Sequence, residues 1–249
     1  MINRRTLIAM SSAGIVAATS GSRLGFAQDA DPELPLQNAS FIRDLDAPAE
    51  ATPSATPSSD TAMDDFHGYI LGDPEAPNTL QIYSDYRCPY CRVFHVEMEP
   101  GLIEDFVATG RLNLELIDFT VVGVQSLDEL DDDSIESVQA AEAAAAAAEQ
   151  NAFLAYREWL YSGEERTTPG DFSDENLIAA AEELGLDADQ FAASLLDGVY
   201  ENDIIASVHY GLERGVSGTP TLILDDGEPF FAPNAGYGAL KEMLEDRLQ

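Results

Sequence analysis

The amino-acid sequence predicts an α/β fold in which a block of helices separates two parts that contain strands. Short apolar runs at residues 79–83, 112–122 and 221–224 have the length and composition of strands. Between them, residues 124–214 are predicted to form an all-helical insertion, which includes a run of alanines. With 249 residues, of which 45% are hydrophobic, the chain is long enough to bury a sizeable core.

The first strand leads directly into a helix that begins at a cysteine pair. A strand at residues 79–83 is followed by a Cys-x-x-Cys motif at residues 88–91, and Pro89 suits the first turn of a helix. Pro100 should kink or restart this helix, which we expect to end at Gly110. The cysteine pair therefore lies where a strand passes into a helix.

The insertion is predicted to contain four helices. They are expected at residues 134–161, 176–183, 187–198 and 204–213. Asp187 and Gln190 match the capping-box pattern at the start of the third helix. After the strand at residues 221–224, a hairpin partner is expected at 229–232 and a last helix at 238–248.

Two segments precede the predicted domain at residues 66–249. Residues 1–27, with Arg4-Arg5 before a weakly apolar run, resemble a twin-arginine export signal, and an ordinary Sec-type signal is the alternative. The run is shorter than the roughly 20 residues of a transmembrane helix, so we expect cleavage after Ala27, although an uncleaved signal would act as an anchor. Residues 28–65, rich in Ala, Pro, Ser, Thr and Asp, are predicted to be a disordered linker. Either kind of signal predicts an extracytoplasmic protein.

The net charge excludes some partners. The chain has 12 Lys and Arg against 46 Asp and Glu, and the resulting formal charge of −34 repels nucleic acid and anionic membranes. Lys241 is the only lysine. A surface of this kind is typical of proteins adapted to high salt, where self-repulsion between like charges is screened.

The chemistry of the chain centres on its two cysteines, Cys88 and Cys91. At the start of a helix, free N–H groups and the helix dipole favour a thiolate, so the first cysteine becomes the nucleophile and leaving group and the second resolves the mixed disulfide. A structural disulfide is the alternative, but a bridge closing so short a loop stabilises a fold by only about 2 kcal/mol. We therefore predict a redox-active pair.

Four charged or titratable residues surround the motif. Arg87 and Arg92 flank it and are expected to stabilise the thiolate. His95, four residues after Cys91, would add to this effect if protonated, or would lie at the edge of the core. Asp85, three residues before Cys88, would tune Cys91, relay a proton or cap a turn.

Residues 83–91 and 215–221 together resemble the DsbA-like thiol-disulfide oxidoreductases of the thioredoxin superfamily. The resemblance covers residues 66–249 and implies a thioredoxin-like fold whose helical insertion separates the Cys-x-x-Cys half from the other half. It implies that Pro220 is a cis-proline lying against the cysteines, and that Thr219 offers its backbone to an extended substrate peptide. Pro89-Tyr90 also occurs in glutaredoxins, so this dipeptide does not identify the partner.

The leading hypothesis is an extracytoplasmic dithiol oxidase that forms disulfides in exported proteins through Cys88 and Cys91. It would need no cofactor, and its partners would be reduced or misoxidised exported proteins and a membrane redox partner. We expect a monomer. One alternative is a reductase or isomerase kept reduced by a membrane partner. Another is a soft-metal module that uses Cys88, Cys91 and His95, completed by His67 or His209.

Overall fold

The chain is built around a four-stranded mixed sheet in the order β1-β3-β2-β4. A computed structural model describes residues 68–120, 132–162, 168–230 and 236–248, with backbone alone at 132–134. The predicted signal and linker lie outside the described residues. The strands are β1 (Tyr69–Leu71), β2 (Thr79–Ser84), β3 (Asn113–Asp118) and β4 (Thr221–Leu224).

The central strands β2 and β3 run parallel, and β1 and β4 add antiparallel edges. The register places Ser84 opposite Asp118, so the carboxyl ends of β2 and β3 meet at one edge of the sheet. The motif follows β2 at that edge. Strand β1 is missing from the sequence prediction because three residues are too few to show strand periodicity.

Helices cover both faces of the sheet. Consecutive strand residues point to opposite sides, so neighbouring residues of β2 pack against different helices. Ile82 packs into the larger buried cluster, together with the helices of the insertion, whereas Tyr83 belongs to a smaller cluster with Phe119 and Val208. Two clusters on two faces account for the nearly continuous burial of β2 and β4.

The motif helix, α1 (Pro89–Glu97), ends at Met98 and the chain restarts as α2 (Glu99–Leu102). Pro100 lies in the first turn of α2, so the predicted restart is confirmed. A π-helical turn (Ile103–Val107) continues to Gly110, whose φ of +69° suits glycine.

The helices between β3 and β4 are α3 (Asp132–Ala148), α4 (Phe153–Tyr161), α5 (Asp174–Glu183), α6 (Ala188–Leu196) and α7 (Glu201–Glu213). The prediction of one helix over residues 134–161 is wrong, because Asn151 takes a left-handed φ of +59° and separates α3 from α4. The predicted cap of α6 is confirmed: Asp187 accepts a hydrogen bond from the Gln190 N–H at 3.0 Å.

The last part of the chain closes the domain. Phe230 pairs with Leu222 of β4 through two backbone hydrogen bonds of 2.9 Å, which is the described part of the predicted hairpin. Helix α8 (Gly236–Arg247) follows and buries Leu240 and Leu244. Within the described residues, no helix has the length and apolarity needed to cross a membrane.

Candidate active site

The cysteine motif lies at the junction of β2 and α1. Cys88 is the N-cap of α1, Pro89 is its first helical residue, and no acid lies in the first turn. The two cysteines differ in exposure, since Cys88 exposes 7% of its surface and Cys91 exposes 1%. Tyr90 is half exposed beside them. Cys88 is therefore the cysteine that a second protein could reach.

The loop before β4 covers the motif from the other side. The Thr219–Pro220 peptide bond is cis, as the resemblance implied, and Pro220 is buried. The Cys88 thiol donates to the Thr219 carbonyl, with 3.4 Å between Sγ and oxygen. Cys88 and Thr219 are 131 residues apart in the chain, so the fold brings together the two segments on which the resemblance rests.

The environment of Cys88 favours its thiolate. The largest effect is the hydrogen bond with Cys91, and together with the Thr219 side chain and the N–H groups of Cys91 and Tyr90 it lowers the pKa of Cys88 to about 6, against the opposing effect of burial. These N–H groups lie in the first turn of the helix, where the helix dipole also favours a negative charge. A thiol with such a pKa is largely ionised at neutral pH.

The environment of Cys91 does the opposite. Burial raises the pKa of Cys91 well above its usual value, and the hydrogen bond with Cys88 and the charge of that thiolate raise it further. The backbone N–H of Asp85 donates to the Cys91 sulfur at 3.4 Å. The pair thus consists of a thiolate at the more exposed Cys88 and a thiol at the more deeply buried Cys91, which is the asymmetry that dithiol exchange needs.

The Asp85 side chain shapes the turn before the motif. Its Oδ1 accepts hydrogen bonds from the Arg87 N–H at 2.8 Å and from the Ser137 hydroxyl at 2.9 Å. Of the roles considered from the sequence, the turn-capping one matches these contacts. Its contact with Cys91 runs through its backbone.

The two arginines that flank the motif form contacts that the sequence did not predict. The guanidinium of Arg87 lies 3.0 Å from a Glu136 carboxylate oxygen, which compensates its charge. Arg92 donates from Nε to the Tyr161 carbonyl at 3.1 Å. The lowered pKa of Cys88 has its main causes in hydrogen bonds, and the stabilisation of the thiolate by arginine charge stays a prediction.

His95 belongs to an ionic network instead of the sulfur site. Its ring nitrogens lie 2.8 Å from Glu158 and 3.3 Å from Glu99, and Arg157 also contacts Glu99 at 2.7 Å. Burial lowers the pKa of His95, but Glu99 and Glu158 outweigh it and the net shift is upward. Both ring nitrogens are engaged by carboxylates, so the contacts of His95 do not favour a metal site shared with the cysteines.

The other two histidines considered for a metal site do not join it either. His209 is exposed on α7, and His67 lies outside the described residues. Across the described part of the chain, no three side chains of the His, Cys, Asp or Glu type come together in a metal-binding arrangement.

Three buried polar residues near the site were not predicted from the sequence: Asp118, Tyr86 and Tyr161. Burial raises the pKa of Asp118 to about 7, although the hydrogen bond with Tyr86 opposes it. Burial, and next the charge of Cys91, raise the pKa of Tyr161. The available signal was Asp118 itself, an acid at the end of an apolar strand that runs parallel to β2.

Residues 65–246 match the sequence model of a family described as Thioredoxin. A curated relative, disulfide bond formation protein D of Bacillus subtilis, is 22% identical over 185 residues, covering 72% of this chain and 77% of that protein.

Two solved structures have a similar fold. The oxidised form of BdbD from Bacillus subtilis has a TM-score of 0.59 and 20% identity, and covers 72% of this chain and 91% of its own. MdbA, a thiol-disulfide oxidoreductase from Corynebacterium diphtheriae, has a TM-score of 0.57 and 20% identity, and covers 85% of this chain and 100% of its own.

Proposed function

Because the chain belongs to the thioredoxin family and has the thioredoxin-like, DsbA-like fold predicted from its sequence, we propose that it is an extracytoplasmic dithiol oxidase that forms disulfides in exported proteins. The observation that carries this proposal is the asymmetry of the pair, with the more exposed Cys88 of lowered pKa beside the more deeply buried Cys91 of raised pKa. A stable Cys88 thiolate stabilises the reduced pair, which makes the Cys88–Cys91 disulfide a good oxidant.

The reaction begins with the Cys88–Cys91 disulfide and a reduced substrate. A substrate thiolate attacks the Cys88 sulfur, the disulfide breaks, and Cys91 leaves as a thiolate that takes up a proton. A second substrate thiolate then attacks the substrate sulfur of the mixed disulfide. Cys88 leaves as a thiolate, and the substrate, now oxidised by two electrons, carries the new disulfide.

The rest of the site supports this exchange. The loop at Thr219 and Pro220 borders Cys88 and would pair with an extended substrate backbone, next to the exposed Tyr90. The cysteine pair is the only redox group required, so no cofactor is needed. A membrane redox partner would return the dithiol to the disulfide by taking two electrons from it. Exported proteins with reduced or misoxidised cysteines would be its substrates.

The test is the oxidation of a reduced, unfolded protein that carries two cysteines. The oxidised wild-type protein should form one substrate disulfide per molecule, whereas Cys88→Ser should form none, because the attacked sulfur is missing. Cys91→Ser is the matched variant: loaded at Cys88 with a small disulfide, it should accumulate the mixed disulfide with a substrate that carries a single cysteine, because neither Cys91 nor a second substrate thiolate can resolve it. Full oxidation of the substrate by Cys88→Ser would contradict the proposal.

The N-terminal segments are proposed to serve export. Residues 1–27 would act as a twin-arginine-type signal, and residues 28–65 as a disordered linker that holds the domain at residues 66–249 clear of the membrane or cell wall. Removing the signal takes away Arg4, Arg5 and Arg23 and no acid, so the formal charge moves from −34 to −37. Sequencing the N-terminus of the exported protein tests this, since a start at Gln28 is expected and retention of Met1 would contradict cleavage.

A further inference from the structure

We propose that Glu136 and Ser137, adjacent residues of helix α3, are positioning residues that hold the segment before Cys88 and thereby stabilise the reduced form of the cysteine pair. The proposal deepens the proposed function and rests on it only in taking the pair to be redox-active. It assigns the helical insertion a part in setting the reduction potential, in addition to its packing.

The first contact is between Ser137 and Asp85. The Ser137 hydroxyl donates to Asp85 Oδ1 at 2.9 Å, and the same oxygen accepts from the Arg87 N–H at 2.8 Å. Asp85 and Ser137 have no exposed surface, so water cannot take the place of either partner. Ser137 therefore fixes the orientation of the carboxylate that shapes the turn.

The second contact is between Glu136 and Arg87. Glu136 Oε2 lies 3.0 Å from Arg87 Nη1, and both side chains are buried. The Glu136 carboxylate is itself fixed, because it accepts hydrogen bonds from the backbone N–H groups of Gly170 and Phe172. Two consecutive residues of α3 thus hold Asp85 and Arg87, which precede and follow Tyr86 in the chain.

The held segment contacts both cysteines. The Asp85 N–H donates to the Cys91 sulfur at 3.4 Å, and the Asp85 carbonyl accepts from the Cys88 N–H at 3.1 Å. In the dithiol state the Cys91 thiol donates to the Cys88 thiolate, which gives the Cys91 sulfur more negative character and strengthens the hydrogen bond that it accepts from the Asp85 N–H; this bond therefore favours the dithiol over the disulfide. A dithiol oxidant is strong when its reduced form is stabilised. Holding Asp85 in place therefore makes the pair more oxidising.

The experiment compares the reduction potentials of the wild type and Ser137→Ala, by equilibrating the full chain with glutathione at pH 7. The disulfide takes two electrons from two glutathione molecules, which leave as one glutathione disulfide, and their protons pass to the dithiol or to solvent. We expect the equilibrium constant for reduction to fall about three- to tenfold, which corresponds to a potential more negative by about 14–30 mV. Glu136→Gln should shift it in the same direction.

A double-mutant cycle shows whether Ser137 acts through Asp85. In an Asp85→Ala background, Ser137→Ala should cause no further shift, whereas additive shifts would contradict the proposal. If Asp85→Ala does not fold, Asp85→Asn retains an acceptor oxygen, and Ser137→Ala should still shift the potential in that background. The matched control on α3 is Gln139→Ala, which removes a hydrogen bond to Asp174 and should leave the potential unchanged.

Thermal unfolding separates positioning from a purely structural role. Ser137→Ala should lower the melting temperature of the reduced protein more than that of the oxidised protein. Equal losses in both redox states, with an unchanged potential, would overturn the proposal. The potential is measured with glutathione alone, so a failure of the proposed oxidase activity on protein substrates would remain a separate result.

Discussion

At the residue scale, Cys88 and Cys91 carry the same side chain within one turn of a helix, yet their surroundings give them opposite tendencies to ionise. Cys88 receives hydrogen bonds at the helix start and borders Thr219, which lowers its pKa to about 6, whereas burial raises the pKa of Cys91. Position within the helix, and not the side chain itself, thus decides which sulfur favours the thiolate and which favours the thiol.

Asp118 provides a test of buried charge near the site. Because burial raises its pKa to about 7, the folded protein binds more protons than the unfolded chain between about pH 4 and pH 7, and stability falls as the pH rises through this range. Asp118→Asn removes the free-energy cost of ionising this buried carboxyl group. The variant should gain stability relative to the wild type as the pH is raised from 4.5 to 8, which melting temperatures at both pH values would measure.

The matched control is Asp105→Asn. Hydrogen bonds from Lys241 and Tyr237 lower the pKa of Asp105, so this substitution should bring no such gain as the pH rises. A stability difference between Asp118→Asn and the wild type that is the same at both pH values would show that Asp118 has an ordinary pKa.

The sequence predicted Cys88 and Cys91 as the reacting residues and Asp85 as a support, but not the contacts that hold Asp85 in place. Cys88, Cys91 and Pro220 lie in short sequence motifs that can be recognised without knowledge of the fold. Ser137 and Asp85 are 52 residues apart, and their contact depends on how α3 packs on the motif, which no local pattern encodes. For the same reason, the sequence did not predict that Arg87 pairs with Glu136 of α3.

At the element scale, helix α7 lies close to the sheet because Gly211 has no side chain. A Cβ at this position would lie 2.6 Å from a Phe119 ring carbon and 3.1 Å from Tyr83, and both rings are fully buried. The absence of a side chain at Gly211 thus allows α7 to pack closely on Phe119 and Tyr83.

Gly211→Ala should destabilise the protein by about 1–3 kcal/mol, because the overpacking outweighs the gain of up to about 1 kcal/mol in helix propensity. Urea unfolding would measure the change. Gly238→Ala is the matched control, since it also lies in a helix but would meet nothing within 4 Å, so propensity alone should stabilise it. A stabilised Gly211→Ala would show that α7 can move away from the sheet at little cost.

Elements with strong local signals were predicted well, and those that depend on pairing or on single backbone angles were not. Strand β4 and the cap of α6 follow from apolar runs and capping residues. The break at Asn151 was missed because the alanine-rich helix before it and the aromatic-rich helix after it both have good helical periodicity, and one left-handed residue suffices to separate them.

At the scale of the whole molecule, acidity and activity are separate properties. The formal charge of −34 is spread over the chain, whereas the cysteines lie in a buried, locally hydrogen-bonded setting. We propose that the acidic surface is an adaptation to high salt. The Debye length falls from about 10 Å at 0.1 M to about 3 Å at 1 M salt, so repulsion between carboxylates should weaken over this range.

The melting temperature at pH 7 should therefore rise as sodium chloride is increased from 0.1 M to 2 M. At pH 4, where many carboxylates are protonated, the rise should be smaller, which separates screening of charge from general salt effects on burial. A melting temperature at pH 7 that falls or stays constant with salt would contradict the adaptation.

The reduction potential of the Cys88–Cys91 pair in the full-length protein tests the central claim most directly, because it measures how strongly the fold favours the dithiol over the disulfide. The lowered pKa of Cys88 predicts an oxidising pair, with a potential nearer the about −120 mV of DsbA than the about −270 mV of thioredoxin. A value near −270 mV would contradict the account and indicate a reductase.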